Sequence, residues 1–325
     1  MTLFKVCMRV RSLLVIVVRA SNFRGNLMKK MSRCFLGCCL AAFVQVAMAQ
    51  PQTPVLQKIA SGGHLVLAHR DSSIPFSYLN AEKKPVGYAL DLCLKIAEAV
   101  RKKTNTPNMV VDYLPVTSAN RIDMVAQGKA DLECGSTTNN AERRQKVAFT
   151  VPHFITGARL LVRADSSITL LEGMEGKRLV STKGSTPLKA ATQANRERML
   201  RIQILEAPDH AKAVEMVEKN EADAFVMDDV LLYGLAASRA NPAGLKVVGK
   251  FLTTEPLAIM LPKDDAPFKA LVDEEMRRLI YSGEARAIYN KWFMQPIPPQ
   301  NTTLNMPMSY LLKDFWKYPS DHVPE

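Results

Sequence analysis

Two stretches of this chain repeat one order of elements, strand, helix and strand, and that order restricts the fold more than any other feature. His64–His69 (HLVLAH) is a compact apolar run introduced by Gly62-Gly63. Leu90, Leu94, Ala97 and Val100 then recur at helical spacing between Gly87 and Thr104, with Lys102 and Lys103 in the closing turn. Met109–Leu114 is a second strand, Ser118 starts a short helix that ends at Gly128, and Ala130–Cys134 is a third strand. Downstream the order restarts. Arg178–Thr182 is a strand, Gly184-Ser185-Thr186-Pro187 is a loop opening a helix with Pro at its first position, and Ile202–Leu205 is a strand. Asp209 caps a helix through Lys219, and Asp223–Met227 is another strand. Alternation of this kind predicts parallel sheets with helices on their faces.

Two α/β lobes follow, one over 50–158 and one over 159–254. The strand Leu257–Leu261 and the helices Asp265–Tyr281 and Gly283–Phe293 have no lobe of their own, so 255–325 is expected to return to the first. The chain then crosses between lobes twice, near Thr156-Gly157-Ala158 and near Thr253–Glu255. Two crossings make a hinge, and the fold class is an α/β two-lobed clamshell. Residues 295–325, rich in Pro and polar residues, are expected to wrap the surface as a tail.

The formal charge of +12 over 325 residues suggests nucleic acid or an anionic membrane until it is partitioned. Eight basic and no acidic residues lie in 1–49, which leaves 35 basic against 31 acidic in the remainder. No nucleic-acid partner is expected. Met28-Lys29-Lys30 with Arg33, the apolar run Cys34–Val46 and Ala47-Met48-Ala49 have the layout of a signal peptide cleaved before Gln50. Its apolar run is too short for a membrane span. A second apolar run, Leu13–Val18, reads either as an extended signal or as a spurious prefix, 1–27, before a start at Met28; the prefix is the favoured expectation. Lipidation at Cys38 is a third reading. Export implies a periplasmic location. Beyond the leader only Cys93 and Cys134 remain; they are expected as two buried thiols, with one disulfide as the alternative. No Cys/His spacing suits a metal, and no cofactor is expected.

In open α/β sheets ligands sit at the carboxyl ends of strands, and the chemically versatile residues collect there. Arg70 follows the first strand, Ser118 and Arg121 the second, and Gly135–Arg143 the third. Thr182–Ser185, His210 and Asp228 hold the matching places in the second lobe. The runs ECGSTTNNAERR and HRDSSIPFSY, Gly87-Tyr88 and Met227-Asp228-Asp229 resemble the family 3 extracellular solute-binding proteins, over residues 56–320. The resemblance implies the type II periplasmic-binding-protein fold and a ligand cleft between the lobes. It also implies a membrane permease of an ABC transporter as partner, L-glutamate or L-aspartate as ligand, and a monomer without enzymatic activity.

The residues suit that expectation. Arg143, near the start of a helix capped by Asn139 or Asn140, can pair with the α-carboxylate, with Ser136 and Thr138 as hydroxyl partners. Asp228 is placed for the ammonium, with Asp229 free to cap the next helix. Arg70, Arg121 and His210 are expected to put positive charge around a second carboxylate, with Ser118, Thr182 and Ser185 as further donors. Three arginines opposed by Asp228 would leave the occupied cleft near neutral. Ser72, Ser73 and Phe76 are expected along the wall. The alternatives are a binder of glutamine or another dicarboxylate, a dehydratase of prephenate or arogenate on the same fold, and a receptor's sensing domain.

Overall fold

The first apolar run forms β1 (His64–His69), preceded by helix α1 (Val55–Gly62). The computed structural model describes residues 54–323, so the leader, its prefix and the cleavage site lie outside the described residues. A small antiparallel sheet follows: β2 (Ser72–Ser73), β3 (Ser77–Leu79) and β4 (Pro85–Val86). Helix α2 (Tyr88–Lys103) then leads to β5 (Val110–Pro115), α3 (Arg121–Ala126) and β6 (Leu132–Thr138). β1 lies parallel between β5 and β6.

Helix α4 (Ala141–Arg144), β7 (Val147–Phe149) and β8 (Phe154–Thr156) complete this pass through the first lobe. The second sheet begins at once with β9 (Ala158–Arg163). It continues through β10 (Arg178–Thr182), α5 (Thr186–Glu197), β11 (Gln203–Ala207), α6 (His210–Glu218), β12 (Ala224–Asp228), α7 (Asp229–Ala237) and β13 (Leu245–Val248). The chain then re-enters the first sheet as β14 (Glu255–Pro262), followed by α8 (Ala266–Tyr281) and α9 (Glu284–Phe293). The orders are β5-β1-β6-β14-β7, with β8 also on β14, and β11-β10-β12-β9-β13. The architecture is a two-lobed α/β clamshell.

Three expectations are corrected. The sheets are mixed rather than parallel, because β9 and β14 enter directly from the other lobe and run antiparallel to their neighbours. The polar run Gly135–Thr138, expected as loop, is the end of β6, whose seven residues are all buried between β1 and β14. The two cysteines are not free thiols. Cys93 of α2 and Cys134 of β6 are joined by a disulfide with Cα atoms 6.2 Å apart, because α2 packs across the sheet over β6.

Aromatic packing fixes the first lobe. Phe76, Tyr88, Phe154, Tyr289 and Phe293 form one cluster with ring centroids 4.3–6.0 Å apart. It locks α2, β8 and α9 together, each fully buried ring contributing roughly 1.5–3 kcal/mol. Phe76 therefore sits in this core instead of along the cleft wall. The tail packs back on the same lobe. Trp316 donates to the Pro152 carbonyl at 3.0 Å, and Asn139 donates to the Asp321 carbonyl at 3.1 Å.

Candidate functional site

The carboxyl ends of β1, β6, β10 and β12 and the N-terminal ends of α3, α5 and α6 converge where the two sheets face each other. A small, nearly filled cavity lies there. Ser118, Arg121, Ser136 and Thr138 line it from the first lobe, and Ser185, His210 and Asp228 from the second. Thr186, Pro187, Met227 and Leu231 complete the wall. The other expected residues stand immediately behind. Arg70 Nη2 is 3.4 Å from His210 Nε2, Thr182 Oγ1 is 2.7 Å from His210 Nδ1, and Arg143 donates to the Thr138 carbonyl at 2.9 Å. All ten sequence-derived site residues therefore gather in one place.

Local sequence explains the placement. Asn140 caps α4 by accepting the Arg143 amide at 2.9 Å, which resolves the choice between Asn139 and Asn140. Asn139 instead ties the turn to the tail. Ser185 caps α5 through the Leu188 amide at 3.2 Å, aiming that helix's first turn, with Pro187 in it, at the cavity. Gly184, at φ +77°, adopts a conformation that side chains disfavour. A methyl group there would lie 2.6 Å from Ala119 Cα, so the lobes meet backbone against backbone. Asp228 occupies the N-cap position of α7 without capping it. Asp229 does not cap either; it accepts from Thr156 at 2.6 Å.

The electrostatics are those of a charged site held out of water. Arg70, Arg121 and Arg143 are all buried, and among the described residues none of them forms an ion pair; their hydrogen bonds run to main-chain carbonyls and to an imidazole. Among the described residues, Arg70 Nη1 and Arg121 Nε have no partner, and neither does Asp228 Oδ1. Burial, reinforced by the neighbouring Arg121, pushes Arg70 down to about 9 and Arg143 down to about 10. Arg121 is lowered by burial as well, against support from Glu133, Asp228 and Glu255. Burial raises the Asp228 carboxyl well above its usual range, helped by Glu255 and Asp229 and opposed by Arg121 and Arg143.

Two electrostatic expectations need correction. His210 does not add positive charge. Burial, Arg70 and Arg121 hold it well below its usual value. With Arg70 donating to Nε2, the neutral ring carries its proton on Nδ1 and donates to Thr182, so His210 positions the Arg70 guanidinium. The charge balance also omitted two carboxylates. Glu133 and Glu255 are fully buried, accepting from Thr137 and Thr138 respectively, each at 2.6 Å. A signal for both exists in the sequence, since each is an acid directly flanking an apolar residue of a strand that is expected to be buried (LEC and EPLAIML).

This geometry has known counterparts. The family model of bacterial extracellular solute-binding proteins, family 3, matches residues 65–295. The chain belongs to this family. An L-glutamate/L-aspartate-binding protein of Pseudomonas aeruginosa is 43% identical over 279 residues, 86% of this chain and 92% of the relative. A glutamate/aspartate import solute-binding protein of Escherichia coli is 40% identical over 286 residues, 87% of this chain and 95% of the relative. Among solved structures, a mutant of ArgBP from T. maritima superposes with a TM-score of 0.66 at 23% identity, covering 74% of this chain and 99% of that one. At that identity the match speaks for the family's fold alone.

Proposed function

We propose that this chain is the substrate-binding component of an ABC amino-acid importer and binds L-glutamate or L-aspartate between its lobes. The observation that carries the reading is the set of three buried arginines, without an ion pair among the described residues, with Arg121 facing Asp228 across a small cavity and Arg70 and Arg143 behind its wall. A doubly acidic amino acid supplies what that set lacks. Its ammonium meets the free Asp228 oxygen, and its carboxylates meet the unpartnered Arg70 and Arg121 donors and the Arg143 fork. Arg143, Ser136, Thr138 and the first turn of α5 suit the α-carboxylate. Arg70, Arg121 and Ser118, with His210 and Thr182 behind them, suit the distal one.

Closure follows from the same energetics. Each buried polar group left unpaired costs about 1–3 kcal/mol, and more when charged. The closed but empty cleft is therefore penalised, and a guest bridging both lobes removes the penalty. The closed state is also latched by Lys189 of α5 on Glu142 of α4, and by Thr186 donating to Thr138 at 3.2 Å. A permease that contacts both lobes would recognise this arrangement, and the leader-like N-terminus and the import role in a relative's name support an exported, periplasmic binding protein.

Calorimetry of the purified chain against the amino acids tests the reading. Binding of glutamate or aspartate is expected, and binding confined to neutral or basic amino acids would overturn it. One observation favours a second reading. Asp228, raised by burial, has the character of a general acid, as a dehydratase requires. An ammonium partner would return it to the carboxylate form; product formed from prephenate would establish the enzyme instead.

A further inference from the structure

Two buried carboxylates near the cleft, Glu133 and Glu255, have no task in the reading above, and Glu133 is the one packed against an arginine stem. Glu133 is the second residue of β6, opposite Ala68 of β1 and Met260 of β14, and is completely buried. Its Oε2 accepts from Thr137, while its Oε1 has no partner among the described residues. A methyl group at Gly135 would lie 2.3 Å from that free oxygen and 3.2 Å from Arg70 Cγ. The bare glycine thus lets the carboxylate and the arginine stem rest against the same backbone atom. A hydrogen bond to Thr137 explains a polar residue here but not a charge, since glutamine would serve the hydroxyl equally well. Burying a carboxylate is costly unless opposite charge faces it. Among neighbouring carboxylates Glu133 gives the foremost support to the charge of both Arg70 and Arg121, whereas Arg121 works against Arg70.

We propose that Glu133 is a positioning residue, the resident counter-charge that keeps Arg70 and Arg121 together in the empty protein and sets how much attraction is left for the guest's second carboxylate. This rests on the assignment of those two arginines to the distal carboxylate. Glu133 then competes with the ligand for the same pair of cations. It moderates the pocket's preference for an acidic over an amide side chain.

Glutamate and glutamine, matched in size and differing at the distal group, are the probes, measured by calorimetry on the full chain. Glu133→Gln keeps the size of the side chain and the Thr137 bond while removing the charge. The ratio of glutamine Kd to glutamate Kd is expected to rise by about tenfold or more, and Glu133→Asp, which keeps the charge, is expected to hold the wild-type ratio within about threefold. An unchanged or lowered ratio in Glu133→Gln overturns the proposal, because a merely structural role weakens both ligands alike. A stability cycle with Arg70→Gln provides an independent arm. The double variant is expected to be more stable than the sum of the single effects, and to fold even if Glu133→Gln alone does not. Additivity, or a double variant that stays unfolded while Arg70→Gln folds, overturns the counter-charge. Absence of any acidic amino-acid binding by the wild type would defeat the functional reading alone, leaving the stability cycle to decide the role of Glu133.

Discussion

Replacing both Cys93 and Cys134 by alanine is expected to weaken the fold by about 4 kcal/mol while leaving the cleft intact. The bridge closes a loop of 41 residues. In the chain-entropy account such a loop removes about 13 cal/mol/K from the unfolded ensemble, or about 4 kcal/mol at 25 °C. The effect acts on the unfolded chain, so the positions of Ser136 and Thr138, farther along β6 from Cys134, should persist in the folded variant. Chemical denaturation reads the first quantity, with a fall in Tm on the order of 10 °C. Calorimetry with glutamate reads the second, and Kd is expected to stay within about threefold of wild type. A stability loss below about 1 kcal/mol would refute the entropic argument. Lost affinity in a variant of full stability would show instead that the bridge shapes the site.

Arg121→Ala should weaken glutamate binding by at least about a hundredfold, since it leaves a buried carboxylate unpaired; unchanged calorimetric affinity in a folded variant would dismiss the pocket assignment. His153 and His210 are both buried, and burial lowers His153 to about 3 and His210 well below its usual value. Both therefore gain protons on unfolding, so stability is complete above the unfolded value of about 6.5 and declines as pH falls below it, by about 1.4 kcal/mol per unit for each ring. His153→Phe, beside Phe76 and Tyr88, should flatten that decline in melting experiments across pH 7 to 5, and an identical slope would contradict it. Gly184→Ala should reduce ligand affinity at least about tenfold by holding the lobes apart; wild-type affinity would show that closure tolerates the methyl group.

The fold was largely legible because β1, α2, β10 and α6 carry clean period and capping signals. What escaped reading had physical reasons. Helix α7 (DVLLYGLAA) is apolar almost all round, so no periodicity marks it, and β9 (ARLLVR) shows only a short apolar run. The polar GSTT run looks like a loop, yet its backbone completes β6 because the cleft, and not solvent, receives its side chains. Each binding candidate could be found from its place after a strand. The charge states could not, since they depend on burial and on neighbours remote in sequence: His210 is held neutral by burial and by Arg70, 140 residues away. A disulfide across 41 residues likewise depends on how a helix lies over a sheet.

The bare contact at Gly184 has a consequence for discrimination. Main chain halted by main chain leaves no rotamer to swing aside, so the two halves stop at one fixed separation. On the proposed function, jaws that stop there set an upper limit on the guest's length, and glutamate and aspartate, one methylene apart, both have to fit beneath it. Selection by length would thus be written into the polypeptide backbone, and selection by charge into the side chains around it.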